Sequence, residues 1–367
     1  MTSSIDRTLL ILSIVLVVVG FFIFSSASLG LLARDGARFS SIAMNQLLFG
    51  VLGGGISLFI TSSIHYRVWR QFAFYFFLVS VILTILVFVP WLSFEHGGAR
   101  RWIQIGSLTF QPAELLKVTF IIYMATWLSG MKKNVQDFMS GTLPFVGFLG
   151  GTGILLLLQP DTDTFLILAL ASIAVFITAG GRIRDVFLMA LAGVVLIAIL
   201  ALARPYVKDR IMTFVDPSRD PQGAGYQIKQ SLIAVGSGSI FGRGYGQSIQ
   251  KFEYLPEPIG DSIFAVYSEE FGFVGSTLLI ALFSIFTFRA FRIATRAPDL
   301  FGMLLVVGLA TLIISQAFLN IAAMLALAPL SGLPLPFISH GGTALLVTLA
   351  SVGIILNVSK YQKRIPK

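Results

Sequence analysis

A chain of 367 residues that is 56% hydrophobic and only 12% charged, with a mean hydropathy of +0.88, is not the mixture of a soluble globular domain, and its main solvent is the bilayer. The formal net charge of +9 would suit a nucleic-acid binder, but in so apolar a chain it reads as basic loops that orient membrane helices, so no nucleic-acid partner is expected. With no cysteine, a disulfide, a thiolate nucleophile and a Cys-ligated metal are excluded.

Crossing the hydrocarbon core takes roughly 20 mostly apolar residues in a helix. In chain order such runs fall at about 8–31, 43–64, 71–93, 113–130, 141–158, 163–180, 185–203, 265–290, 301–328 and 342–359. They predict an all-α polytopic membrane protein of about ten transmembrane helices, a single membrane domain over 1–367. The first run, around Leu9 to Phe24, lacks a small-residue cleavage site and is expected to be a retained helix. The fifth carries Gly141, Gly147, Gly150, Gly151 and Gly153, which lower helix propensity but let membrane helices pack closely.

If the N-terminus is cytoplasmic, the inner loops carry Arg7; Arg67 and Arg70; Lys132 and Lys133; Arg182 and Arg184; Arg289, Arg292 and Arg296; and Lys360, Lys363, Arg364 and Lys367. Short basic inner loops predict both termini inside. One connection, approximately 204–264, is far longer than the roughly 12–15 residues beyond which loops usually carry function or are disordered. It holds Tyr206, Phe214, Tyr226, Ile228, Leu232, Val235, Phe252 and Leu255, too apolar a set for a solvated linker. A large, partly structured extracellular loop between helices 7 and 8 is expected, with amphipathic pieces such as Tyr226–Val235 lying on the membrane.

Several outer segments could carry chemistry. Pro112 suits the first turn of the fourth helix; Glu114 and Lys117 then share a face near the membrane boundary, either pairing with each other or facing a wet cavity. Arg100 and Arg101, beside Trp102, read as an interfacial anchor or as a clamp for a phosphate headgroup, which the planar guanidinium suits. Asp261 stands where the eighth span begins. It is either a helix N-cap or a base, since a carboxylate among apolar residues at a membrane surface is placed to have its pKa tuned and to take a proton from a hydroxyl. Glu269 and Glu270, inside that span, are buried partners of loop cations or members of a polar cavity.

Lys208, Arg210, Lys229, Arg243 and Lys251 could neutralise a pyrophosphate or contact lipid headgroups. Gly236-Ser237-Gly238 and Gly242-Arg243-Gly244-Tyr245-Gly246 could offer backbone N–H groups to an anion. The run from Pro329 to Thr343 is broken backbone at membrane depth, tolerated only when buried in protein or lining a cavity. His65, His96 and His340 lack ligand spacing, so no metal site is expected. On these grounds alone the chain is a lipid-handling enzyme or a transporter.

Gly98-Ala99-Arg100-Arg101-Trp102-Ile103 with Gln111-Pro112-Ala113-Glu114-Leu115-Leu116-Lys117; Gln159-Pro160-Asp161; Gly225-Tyr226-Gln227 with Gln230-Ser231 and Ala234; Leu255-Pro256-Glu257 with Asp261, Ile263-Phe264-Ala265 and Glu269-Glu270; and Leu335-Pro336-Phe337-Ile338-Ser339 with Gly341-Gly342 resemble the SEDS family (shape, elongation, division, sporulation) of bacterial cell-wall proteins. The resemblance covers nearly the whole chain. The run Lys251–Glu257 and the pair Tyr226-Gln227 lean toward the division-type, FtsW branch rather than RodA. Ala113, Ile259-Gly260, Ser262 and His340 depart from the family's usual residues, while Asp261 is retained.

The resemblance implies an inverting peptidoglycan glycosyltransferase that polymerises lipid II into β-1,4-linked glycan at the outer face of the bacterial cytoplasmic membrane, for division or elongation. Its substrates would be lipid II and the nascent glycan-undecaprenyl pyrophosphate, and its partners a class B penicillin-binding transpeptidase with other divisome or elongasome membrane proteins. Asp261 would be catalytic. Substrate binding would fall to Arg100, Arg101, Glu114, Lys117, Asp161, Arg210, Gln230, Ser231, Arg243, Glu257, Glu269 and Ser339. No protein metal site is implied, and a divalent cation, Mg or Mn, on the pyrophosphate is the one candidate cofactor. The alternatives are a flippase for the lipid-linked precursor and a non-catalytic scaffold that recruits the transpeptidase.

Overall fold

In the computed structural model, which describes residues 4–34, 36–96, 99–105 and 108–362, every apolar run coincides with a helix. Helix α1 (Arg7–Arg34) is followed by α2 (Gly36–Asn45), which continues through a wider π-helical stretch, Gln46–Gly53, into α3 (Gly54–Ser63). Then come α4 (Tyr66–Gln71), α5 (Ala73–Leu86), three short strands, α6 (Pro112–Met131), α7 (Leu143–Leu158), α8 (Thr162–Thr178) and α9 (Ile183–Ala203). The long connection holds α10 (Pro205–Val215), α11 (Ala224–Ser237) and α12 (Gln250–Glu253), and the chain closes with α13 (Ile263–Thr295), α14 (Leu300–Met324) and α15 (Gly342–Ser359). Gly97 and Gly98 of the outer-loop motif, and Lys363, Arg364 and Lys367 of the last inner segment, lie outside the described residues.

Seven helical segments among the described residues are long and apolar enough to cross a membrane. The other three predicted runs fall on α5 and α8, apolar but of 14 and 17 residues, and on α6, which carries Glu114 and Lys117 in its first turns. The loop between α5 and α6 adds a small element to the helical fold: strands β1 (Ser93–His96), β2 (Ala99–Ile105) and β3 (Leu108–Phe110) form an antiparallel sheet in that order. Ser93 stands opposite Ile103, and Ile103 opposite Phe110.

The core forms where α14 packs against α6, α8 and α13, burying Phe120, Ile121, Phe176, Phe283, Leu305 and Leu309. Helix α9 is the contrast. Asp185 is its one buried residue, and Leu202 at its end is 90% exposed, a surface that lipid tails solvate as well as leucine would. At the opposite end of the bundle from Asp261, the Asp6 N–H donates to Ser359 Oγ at 3.0 Å and Arg289 Nη2 donates to Asp6 Oδ2 at 2.8 Å. The start of α1 and the ends of α13 and α15 therefore meet on one side.

Helix α13 is broken at Gly272 (φ 64, ψ −161). A break strands backbone groups that a membrane interior cannot solvate, and here residues 239–244 satisfy them. The N–H groups of Arg243 and Gly244 donate to the Glu269 and Glu270 carbonyls at 3.0 and 2.9 Å, while those of Phe273 and Val274 donate to Ser239 and Ile240 carbonyls at 2.9 and 3.0 Å. The approach needs glycine: a Cβ on Gly242, whose φ is +84, would lie 2.1 Å from Glu270 O. The glycine run read as an anion nest thus splices the outer loop into a helix.

Candidate active site

Asp261 ends the turn before α13. The helix cap position is Ser262, and Asp261 instead takes part in a set of contacts from two other helices. From α11, Gln227 Nε2 donates to Asp261 Oδ1 at 3.2 Å and to Ser262 Oγ at 2.9 Å. From α14, Asn320 Nδ2 donates to Asp261 O and to Leu333 O, both at 2.8 Å.

The broken segment before α15 clasps the same turn. Ser339 Oγ donates to Gly260 O at 2.6 Å and accepts from the Leu335 N–H at 2.7 Å, and the His340 N–H donates to Ile259 O at 2.8 Å. Leu335, Phe337 and Ile338 are buried, so this irregular backbone survives at membrane depth by being enclosed in protein. The His340 ring stacks at 6.0 Å on Phe24, and burial lowers its pKa to about 4, leaving a neutral imidazole.

Burial, and after it the charge of the exposed Glu257 on the same turn, push the Asp261 carboxyl from its usual 3.8 up to about 7, against the pull of the Gln227 hydrogen bond. A carboxyl that titrates near neutrality is matched to general-base chemistry.

The predicted cations divide into groups. Arg101 Nε donates to Gln159 O at 3.1 Å, its Nη2 donates to Pro160 O, and its Nη1 lies 4.0 Å from Asp161 Oδ1. This ties β2 to the link between α7 and α8. Asp161 caps α8, accepting from the Thr164 N–H at 3.3 Å, and burial raises its pKa while Arg101 opposes the rise. Arg210 pairs with Asp163 at 2.8 Å, and Asp163 also accepts from the Gly332 N–H at 3.3 Å, which places this pair next to Leu333 of the clasp.

Glu114 and Lys117 do pair, at 2.9 Å and buried; Lys117 also donates to Gln316 Oε1 at 2.9 Å, whose amide donates to Pro334 O at 2.8 Å. Arg243 lies 3.3 Å from Glu269, which also accepts from Ser248 Oγ at 2.6 Å. Lys251 lies 2.7 Å from Glu270, which accepts from Ser26 Oγ at 2.6 Å. Both glutamates are therefore buried partners of the loop cations.

Of the remaining candidates, Ser231 is buried and donates to Met324 Sδ at 3.4 Å. Gln230 lines a cavity of about 610 Å³ with Tyr226, Lys229 and Ile233. Arg100 is exposed on β2, opposite Glu95 in register.

The structure thus brings Glu257 and Ser339 to the Asp261 turn, and Lys117 to the same clasp through Gln316. It gathers Arg101, Asp161 and Arg210 around the start of α8, and keeps Arg243 with Glu269 at the helix break. Gln227, Asn320 and Gln316 hold the site and were not among the predicted site residues. A polar amide inside a span is itself a signal, and Gln316 and Asn320, four apart in an apolar helix, carry it. Among the described residues no three His, Asp or Glu side chains converge to hold a metal ion.

The profile of the family described as Cell cycle protein (FTSW_RODA_SPOVE) matches residues 6–364. The chain is 38% identical over 361 residues to Stage V sporulation protein E of Bacillus subtilis (strain 168), covering 98% of each. It is 37% identical over 357 residues to the probable peptidoglycan glycosyltransferase FtsW of Geobacter sp. (strain M18), covering 96% of each. Among solved structures, it superposes with a TM-score of 0.78 and 29% identity on a chain from work on the structural coordination of polymerization and crosslinking by a peptidoglycan synthase complex, covering 98% of this chain and 99% of that one. It superposes on the rod shape determining protein RodA of Thermus thermophilus with a TM-score of 0.70 and 27% identity, covering 98% of each. Sequence and fold agree over essentially the whole length, and identity is higher to the FtsW and sporulation proteins than to RodA: the chain is a multi-pass membrane protein of the FtsW/RodA/SpoVE family, on its FtsW-like side.

Proposed function

We propose that this protein is a peptidoglycan glycosyltransferase that polymerises lipid II at the outer face of the bacterial cytoplasmic membrane, with Asp261 as the general base. The observation that carries the base assignment is the Asp261 carboxyl, raised to about 7 in a turn held by α11, α14 and the Pro334–Gly342 segment. The names of the relatives at 37% identity support the reaction class.

Asp261 takes the proton of the acceptor sugar's 4-hydroxyl as that oxygen bonds to the anomeric carbon of the donor. The anomeric bond to the pyrophosphate breaks, and undecaprenyl pyrophosphate leaves. Attack opposite the leaving group inverts an α-linked donor to a β-1,4 bond without a covalent sugar intermediate. Charge grows on the pyrophosphate as the bond breaks, and cations stabilise it. Arg210 and Arg243 are suited to this because both keep part of the side chain exposed, 29% and 39%, while the donors of Arg101 and Lys117 are spent on protein acceptors.

The meeting of Asp6 with Ser359 supports placing both termini on one side, and the basic loops support that side being the cytoplasm. The synthase-complex relative supports a membrane transpeptidase as partner.

Purified protein given lipid II tests the reading. Wild type is expected to make glycan polymer and Asp261→Asn none, with a thermal unfolding midpoint no lower than that of wild type. Undiminished polymer from folded Asp261→Ala overturns the base role. Translocation of labelled lipid in liposomes, without polymer and indifferent to Asp261, overturns the polymerase reading in favour of transport.

A further inference from the structure

The Gln227 amide lies 3.2 Å and the Ser262 hydroxyl 3.5 Å from Asp261 Oδ1. Gln227 Nε2 serves Asp261 Oδ1 and Ser262 Oγ together. An amide NH2 has two hydrogens, so the group is saturated and its orientation is set. Its helix is set too: α11 buries Gly225, Ile228, Ser231 and Ala234 at helical spacing.

We propose that Gln227 is a positioning residue for the glycosyl transfer: from α11 its amide aims Asp261 Oδ1 and holds the carboxylate, rather than the acid, in the turn, leaving Oδ2 to take the proton of the acceptor hydroxyl. The inference rests on Asp261 being the base. It assigns separate tasks to the two amides at the turn, because Asn320 reaches only the main-chain carbonyls of Asp261 and Leu333. Asn320 fixes the backbone, and Gln227 contacts the reacting group.

The charges around the turn leave this task to a neutral donor. Glu257, on the turn itself, opposes ionisation. Helix α14 carries no ionisable residue, and Lys229 of α11 is exposed. His340, on the clasp, is neutral through burial, and the Lys117 ammonium of α6 is engaged by Glu114 and Gln316. Hydrogen bonds donated to the charged form are then what favour it, the Gln227 amide first and the main-chain N–H groups of Asp261 and Ser262 after it.

The test is the pH dependence of kcat/KM for lipid II polymerisation by the purified full chain, which reports the free enzyme's base. Gln227→Leu is expected to move the acid limb up by about one pH unit, the effect of losing a donor to a charged group. One unit below the wild-type midpoint the rate then falls about tenfold, with the alkaline plateau largely kept. The isosteric Gln227→Glu, which does not depend on tolerance of an apolar side chain, is expected to move the limb at least as far, because a second carboxylate disfavours ionisation. Asn320→Ala is expected to lower the plateau and leave the limb in place. An unmoved limb in both Gln227 variants, with wild-type circular dichroism and thermal unfolding, overturns the inference and leaves the base reading standing. Polymer made by Asp261→Asn at the wild-type rate overturns the base reading itself.

Discussion

Lys251 Nζ lies 2.7 Å from Glu270 Oε1, with side-chain exposures of 0% and 2%. Lys251 also donates to Ser26 Oγ at 3.1 Å, so one buried cation joins α1, the end of the outer loop and the upper part of α13. Removing one member of such a pair leaves the other buried and uncompensated, at a cost of about 3–5 kcal/mol. Lys251→Met is therefore expected to lower the unfolding midpoint sharply, and Lys251→Met with Glu270→Leu to regain much of the loss. Thermal unfolding in detergent measures both, and a single variant as stable as wild type would show that the pair does not hold the loop.

Asp261 makes stability depend on pH in a defined direction. Its folded pKa, about 7, lies above the usual 3.8, so the fold favours the protonated carboxyl. That contribution is fully present below pH ~4 and is lost as the pH rises through about 7. Asp261→Asn is accordingly expected to raise the unfolding midpoint at pH 8 and to leave it unchanged near pH 4, while polymerisation by wild type rises through pH 7. Unfolding scans at the two pH values check this, and equal stabilisation at both would place the carboxyl's titration elsewhere.

At the helix break, Gly242→Ala sets a Cβ against the Glu270 carbonyl at a backbone angle that L residues rarely adopt. The cost is expected to exceed about 1 kcal/mol, to speed proteolysis between residues 238 and 250, and to reduce polymer yield although Asp261 is untouched. Gly236→Ala, which meets open space, serves as the comparison and is expected to cut no faster than wild type.

Arg101 and Arg210 should separate by phenotype. Arg101→Lys replaces a planar fork, set on two carbonyls and Asp161, with a single point charge. It is expected to lower stability by about 1–2 kcal/mol and activity with it. Arg210→Ala breaks a partly exposed pair worth about 0–1 kcal/mol, so the midpoint is expected to stay within a few degrees while the KM for lipid II rises severalfold. A large loss of stability from Arg210→Ala would make that residue a strut instead.

The helices were legible because a bilayer crossing demands a long apolar run, and the start of α6 because Pro112 can occupy a first turn without a missing hydrogen bond. Asp261, Glu257 and Ser339 were legible as charged or polar residues beside prolines and glycines at span ends, and through the family's motifs. The amides of Gln227, Gln316 and Asn320 carry no charge and sit in helical stretches, so only their burial in the fold reveals their partners. The break at Gly272 was hidden for a related reason. Two glycines, Gly272 and Gly275, in a 33-residue helix are ordinary, and Gly272 becomes a discontinuity only because residues 239–244 come from elsewhere to complete its hydrogen bonds. The alternation in 99–105 was too short to announce a strand, and its partners supply the pairing.

The turn that presents Asp261 is held through its peptide oxygens: those of Ile259, Gly260 and Asp261, together with those of Leu333 and Pro334 in the clasp, accept from His340, Ser339, Asn320 and Gln316. Side-chain truncation can erase the Ser339, Asn320 and Gln316 donors, but neither the His340 main-chain N–H nor any of the acceptors. An alanine scan across 259–261 would therefore find little beyond Asp261 and understate how tightly that stretch is specified, whereas replacing the peptide links themselves, by ester substitution in the backbone, would expose the framework directly.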